Sequence, residues 1–287
     1  MPVTTRQTPN GRPARGQPDV VSRIAPLDED GGGGLKVLLY GESGSGKTTF
    51  WATFPGPILA VLCSGSRNPG ELRSVNTPAN RKKISQVTLT DSSEMAALIE
   101  HLQGGKYATV VLDHVSGLQD LILKEVLGIT KIPAMKNWGM AQQQQYGQVA
   151  QQCTALLRDL LSLDANVVIV GQERVFKGKD DGVESDVIKP VVGVGTMPSI
   201  ATWLNPACDY ILQAFKRAER EVKEVKVGNA VTRREVATGR IEYCLRTEPH
   251  EYFMTKFRVP KGRPLPDVIV DPDFTKLMAA IQGQYGE

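Results

Sequence analysis

The sequence predicts an α/β fold: a mostly parallel sheet with helices on both faces, followed by β-rich C-terminal strands and a closing helix. Three observations carry this. Short apolar runs alternate with amphipathic stretches from Leu35 to Val170, the pattern of strand–helix–strand crossovers. The first apolar run passes through a glycine-rich turn into a helix. After residue 208 the pattern changes to closely spaced strands, ending in an amphipathic segment over Phe274–Ile281.

Residues 1–34 are rich in Pro, Gly, Thr and Arg and lack periodic apolar positions, so they read as a disordered N-terminal arm. Residues 35–287 read as one domain, with 35–215 as its core and 216–287 as a β-rich extension. Leu35–Tyr40 is a buried parallel strand, and Lys47 to about Thr53 is a helix stopped by Pro55 and Pro57. Ile58–Leu62 and Ser85–Leu89 follow as strands. Asp91 or Ser92 caps a helix to about Gln103. Ala108–Leu112 is a β-branched strand ending at Asp113, and a helix runs from Ser116 to Leu127.

Gly128–Gly147 reads as irregular and polar, Gln148–Leu163 as a helix, and Asn166–Val170 as a buried strand ending at Gly171-Gln172. Residues 173–197 read as a mobile loop or ribbon. A short helix starts at Pro198. Asp209–Phe215, Glu219–Val227, Val231–Val236, Ile241–Thr247 and Tyr252–Val259 read as successive strands joined by hairpin turns, one at Gly228-Asn229.

The chain has 287 residues, 41% hydrophobic and 23% charged, with a formal net charge of +3. That composition suits an ordinary globular domain and neither demands nor excludes nucleic acid. The four cysteines are widely spaced, which predicts neither a zinc site nor a disulfide framework and fits reduced thiols in the cytoplasm. No apolar run approaches the length of a membrane span.

Gly41-Glu42-Ser43-Gly44-Ser45-Gly46-Lys47-Thr48 fits GxxxxGK[ST], with Thr49 following. The glycines let the backbone curl so that its N–H groups converge on phosphate oxygens. The helix starting at Lys47 adds its positive end. Lys47 reaches the outer phosphates and the Thr48 hydroxyl ligates Mg²⁺. ATP with Mg²⁺ is the expected ligand. Asp113 ends the Thr109–Leu112 strand where a metal-holding carboxylate is needed. Gln172, at another strand end, is placed to touch the γ-phosphate or the attacking water. His114, directly after Asp113, reads as a structural histidine, with polarising a water as the alternative.

GESGSGKTT, the VVLD and VIVGQ strands and the long loop after them resemble the RecA-like P-loop NTPase core over roughly residues 35–215. The FMTKFRVPKG segment and the later PDVIVDPDF resemble a phage-encoded nucleotide-binding subgroup that includes the Sak-type, RecA-like single-strand annealing proteins. The resemblance implies a DNA-recombination ATPase. Its DNA-facing loops would match 128–147 and 173–197, which makes Lys136, Trp138, Arg174, Phe176 and Lys177 the implied DNA contacts. It also implies rings or filaments in which Lys256 and Arg258 complete a neighbour's site. The implied partners are single-stranded DNA, further copies of the chain and a single-strand-binding protein.

Two features complicate this. The carboxylate that such proteins carry after the strand following the phosphate-loop helix is missing, because that stretch reads Ala60-Val61-Leu62-Cys63-Ser64-Gly65-Ser66. Residues 216–263 hold 13 Lys/Arg against 7 Glu, an excess of 6, readable as ion-paired strands or as a phosphate-tracking patch. A replicative helicase or loader ATPase, a small-molecule kinase and a nucleotide-gated scaffold remain alternatives.

Overall fold

The computed structural model describes residues 33–63, 72–132, 142–178, 189–227 and 230–286. Strand β1 (Lys36–Gly41) leads into helix α1 (Lys47–Trp51), and β2 (Ile58–Leu62) follows. Helix α2 (Pro78–Lys83) then precedes β3 (Ile84–Thr88), α3 (Ser93–Leu102), β4 (Thr109–Asp113) and α4 (Val115–Leu127). Next come α5 (Gln143–Leu161), β5 (Asn166–Gly178), β6 (Lys189–Val194) and α6 (Pro198–Ala207). The chain closes with β7 (Tyr210–Val227), β8 (Ala230–Arg246), β9 (Lys256–Phe257), β10 (Val268–Val270) and α7 (Phe274–Gln282).

Among the described residues the strands form one sheet in the order β10-β8-β7-β1-β5-β4-β2-β3, with β6 on β5 and β9 on β7. The pairings of β1 with β5 and β7, β4 with β5, and β2 with β3 and β4 are parallel. Those of β8 with β7 and β10 are antiparallel. The near-continuous apolar β1, β2 and β4 are buried on both faces, as a covered parallel sheet requires. One face packs Leu38, Tyr40, Val167 and Ile169 under α3–α6. The other packs Val37, Leu39, Val168 and Val170 with Phe50 and Trp51 of α1 and Leu277 of α7. All four cysteines are buried. Among the described residues no helix is long and apolar enough to cross a membrane.

Several boundaries differ from the sequence expectation. Helix α5 begins at Gln143, five residues early, because Gln142 and Gln145 form a reciprocal capping box and glutamine is a good helix former. The stretch 173–197 is a ribbon where described: β5 runs on to Gly178 and pairs with β6. The separate strands expected within 209–227 and within 231–247 are two long ones. Between Ala218 and Arg220 the register shifts, so Glu219 faces Thr238, Gly239 and Arg240. Thr238 Oγ1 bonds the Glu219 carboxylate, and Gly239 takes φ of 84°. The Thr-Gly-Arg that reads as a turn is therefore a bulge. Of the expected strand Tyr252–Val259, Lys256–Phe257 pairs with β7 and Phe253 forms an isolated bridge.

Candidate nucleotide-binding site

The phosphate loop leaves β1 at Gly41, where β1 lies between β5 and β7. At this end of β1 its neighbours are Gln172 on β5 and Ala214 on β7. Gly41 is required there, since a β-carbon would come within 2.1 Å of the Ala214 carbonyl oxygen. The loop's inner turn is fixed by Ser45, buried, whose hydroxyl donates to the Glu42 carbonyl at 2.8 Å. Gly46 caps α1 in the left-handed region at φ 88°, and its carbonyl accepts the Phe50 N–H at 2.9 Å.

The Lys47 ammonium donates to the carbonyls of Gly41 (2.8 Å) and Glu42 (2.6 Å). Burial lowers its pKa, opposed by the charges of Asp113, Glu173 and Glu42. The site thus holds a partly desolvated cation that gains from an anionic ligand.

A cavity of about 670 Å³ opens over the loop, lined by Ser43 to Phe50 and by Asp113, His114, Gly171 and Gln172 among others. Thr48 and Asp113 share its wall. Burial raises the Asp113 carboxyl pKa, against the lowering effects of His114, the Trp51 indole and Lys47. The Trp51 N–H is fully buried and reaches no acceptor at hydrogen-bond distance, so its dipole is a weak influence and burial dominates. His114 caps α4: its Nδ1 accepts the Gly117 N–H at 3.1 Å and lies 2.7 Å from Ser116 Oγ. An accepting Nδ1 places the ring proton on Nε2. Gln172 is exposed and faces the cavity, mid-strand rather than at a strand end, because β5 continues past it.

A family model described as an AAA domain matches residues 33–259. The chain belongs to the AAA family. No curated protein matches it. The family match makes this an AAA-type P-loop ATPase domain, and it spans both the phosphate loop and the cavity over it.

The other expected residues of this AAA protein are placed differently. Lys256 and Arg258 share one face, as their spacing requires, but in the chain that face meets the end of α6 and not the cavity. Lys256 Nζ donates to the carbonyls of Asn205 (2.8 Å) and Cys208 (2.7 Å). Arg258 pairs with Asp209 at 2.7 Å and bonds the Pro206 carbonyl. Arg174 is exposed on β5. Phe176 and Lys177 lie in β5 opposite Val191 and Pro190, with side chains outside the described residues. Lys136 and Trp138 lie outside the described residues.

Of the basic excess in 216–263, Arg217, Arg220, Lys223 and Arg246 pair with Glu242, Glu235, Glu221 and Glu248, so ion-paired strand surface accounts for part of it.

The cavity also takes Ser74, Tyr243 and Leu245, which the sequence did not single out, and Asp271 and Pro272, which lie in the PDVIVDPDF stretch quoted only for the resemblance and given no site role there. They come from a turn after β2, from β8 and from the residues after β10. No local motif marks Tyr243 and Leu245, because the pairing of β8 with β7 brings them in. Glu173 was missed as well: it is the carboxylate after Asp113 whose charge most affects Lys47, and it accepts from Gln213 Nε2 at 3.4 Å.

Proposed function

We propose that the protein is a Mg²⁺-dependent ATPase that binds single-stranded DNA in recombination, pairing or annealing strands as an assembly of several copies in the cytoplasm. The supporting observation is the convergence of Lys47, Thr48, Asp113 and Gln172 on one cavity, from the ends of β1 and β4 and the middle of β5. Gln172 lies on the same continuous strand as the β5–β6 ribbon that carries Arg174, Phe176 and Lys177. Contact at Gln172 would therefore be felt along the element that the resemblance assigns to DNA.

Thr48 and Asp113 fit a magnesium ion. Both line the cavity beside the loop, and one hydroxyl with one carboxylate is a donor set that Mg²⁺ takes when phosphates and waters complete it. Mg²⁺ bound there would neutralise charge on the outer phosphates. Lys47 binds the same phosphates, the loop N–H groups orient them, and Gln172 positions the water. Tyr243, Leu245 and Pro272 supply an apolar wall for the nucleoside.

Fluorescence anisotropy of a labelled oligo-dT, with and without MgATP, tests this on wild type and Lys47→Ala. ATP-strengthened binding that the variant lacks supports the reading. An absence of DNA binding in every state removes the nucleic-acid part and leaves an AAA ATPase acting on another partner.

A further inference from the structure

The strands on the far side of the phosphate loop follow it closely. Ala214 of β7 crowds Gly41 through its carbonyl oxygen. Two residues on, Lys216 brings its ammonium within 3.7 Å of where a Gly44 β-carbon would stand. Tyr243 is the direct cross-strand partner of Lys216, and its ring edge lies 3.0 Å from where a Gly46 β-carbon would stand. The ladder pairs Ala214 with Leu245 and Lys216 with Tyr243. Alternation puts these four on one face of the ribbon, the face on which Ala214 and Leu245 join the core beside α1.

Lys216 is exposed. Among the described residues it makes no hydrogen bond or ion pair, while its neighbours Arg217 and Arg220 are paired. An ammonium without an ion-pair partner among the described residues thus stands beside Gly44 of a loop built to gather phosphate oxygens. An ammonium is a compact charge on a flexible stem with three donors, suited to an anion that arrives and leaves.

We propose that Lys216 is a second phosphate-binding lysine, supplied in cis by β7, that contacts the outer phosphates of the bound nucleoside triphosphate alongside Lys47. Tyr243 steers it, because the ring packs on the loop at Gly46 and holds the base of the ribbon in register with Gly44. This rests on the loop being a nucleotide site. It adds a positive group to stabilise negative charge on the outer phosphates in a chain whose Ala60–Ser66 stretch carries no carboxylate.

The test is calorimetric titration of ATP, ADP and AMP, each with Mg²⁺, into wild type, Lys216→Ala, Lys216→Arg and Lys216→Glu, with thermal melts of each. The expected result is about tenfold weaker ATP binding in Lys216→Ala, a smaller loss for ADP and none for AMP. Lys216→Arg keeps most of the affinity, Lys216→Glu falls below Lys216→Ala, and all four melt alike. Equal ATP affinity in wild type and Lys216→Ala, or an equal loss for all three nucleotides, overturns the inference while leaving the nucleotide site standing. A wild type that binds no MgATP overturns the nucleotide reading itself, and the inference with it.

Discussion

At the scale of single residues, the site holds two charges in partly desolvated places, and they pull in different directions. The Lys47 ammonium is satisfied by the carbonyls of Gly41 and Glu42 and packs no core side chain. Lys47→Ala is expected to weaken ATP binding on the order of 10- to 100-fold while the melting temperature stays within a few degrees of wild type. Normal affinity, or an unfolded variant, contradicts the assignment.

Asp113 is a sharper case. Burial raises its folded pKa, so folding favours the neutral acid, and the ionised carboxylate costs stability at neutral pH. That cost fades as the pH falls through the raised folded pKa. Asp113→Asn should therefore melt higher than wild type at pH 7 in nucleotide-free buffer, with the gap closing in acid. It should also lose Mg²⁺-dependent ATP affinity by roughly tenfold or more. Melting curves across pH, paired with titrations, check both halves. A variant that melts lower at pH 7 shows that the carboxylate is a structural partner. The two thiols Cys153 and Cys208, pushed up to about 12 by burial, take no part in this chemistry.

At the scale of elements, the end of α6 gives the Lys256 and Arg258 cations partners within their own chain. The helix ends in Asn205-Pro206-Ala207, and its last carbonyls need donors. Lys256 supplies them from β9, and Arg258 adds a bond to Pro206 and a pair with Asp209. Positive charge at a helix C-terminus is also favoured by the helix dipole. Lys256→Ala is expected to cost about 1–2 kcal/mol of stability, read as a lowered midpoint in urea with an unchanged slope. A stability equal to wild type, together with lost ATP turnover only in the assembled protein, would instead point to a role across a subunit contact.

The sequence could show that Lys256 and Arg258 share a face. It could not show what that face meets, because Asn205 and Cys208 lie some 50 residues earlier. The same limit separates the elements read well from those read badly. β1, β4 and α1 carry their signals within ten residues: an apolar run, a glycine turn and a terminal Asp. The β7–β8 ladder does not, because a bulge at Glu219 and Thr238 looks locally like a pair of turns.

At the scale of the whole molecule, β1 stops at Gly41 while both of its neighbours run on, β5 to Gly178 and β7 to Val227. Each turns back in an antiparallel ribbon, β5–β6 on one side of the phosphate loop and β7–β8 on the other. This arrangement explains why the loop, Asp113 and Gln172 were legible in the sequence while Tyr243 and Leu245 were not: the latter reach the cavity only through strand register. It also divides the β7–β8 ribbon into two parts with different duties. At its base Ala214 and Leu245 are buried, and Lys216 and Tyr243 lie beside the loop at Gly44 and Gly46. Beyond Ala218 and Ile241 no described side chain is buried, and Val222 is 63% and Ile241 63% exposed. Replacing Glu219–Arg240 by a two-residue Asn-Gly turn is therefore expected to leave the melting temperature within a few degrees and MgATP affinity unchanged. A deeper cut that removes Lys216 and Tyr243 but keeps Ala214 and Leu245 should still fold, yet lose ATP affinity by about tenfold or more. Melts and titrations on the two truncations decide it. Equal ATP binding in both would mean that the ribbon merely borders the site, and loss of binding on removing only the tip would mean that the outer strands shape the loop from a distance.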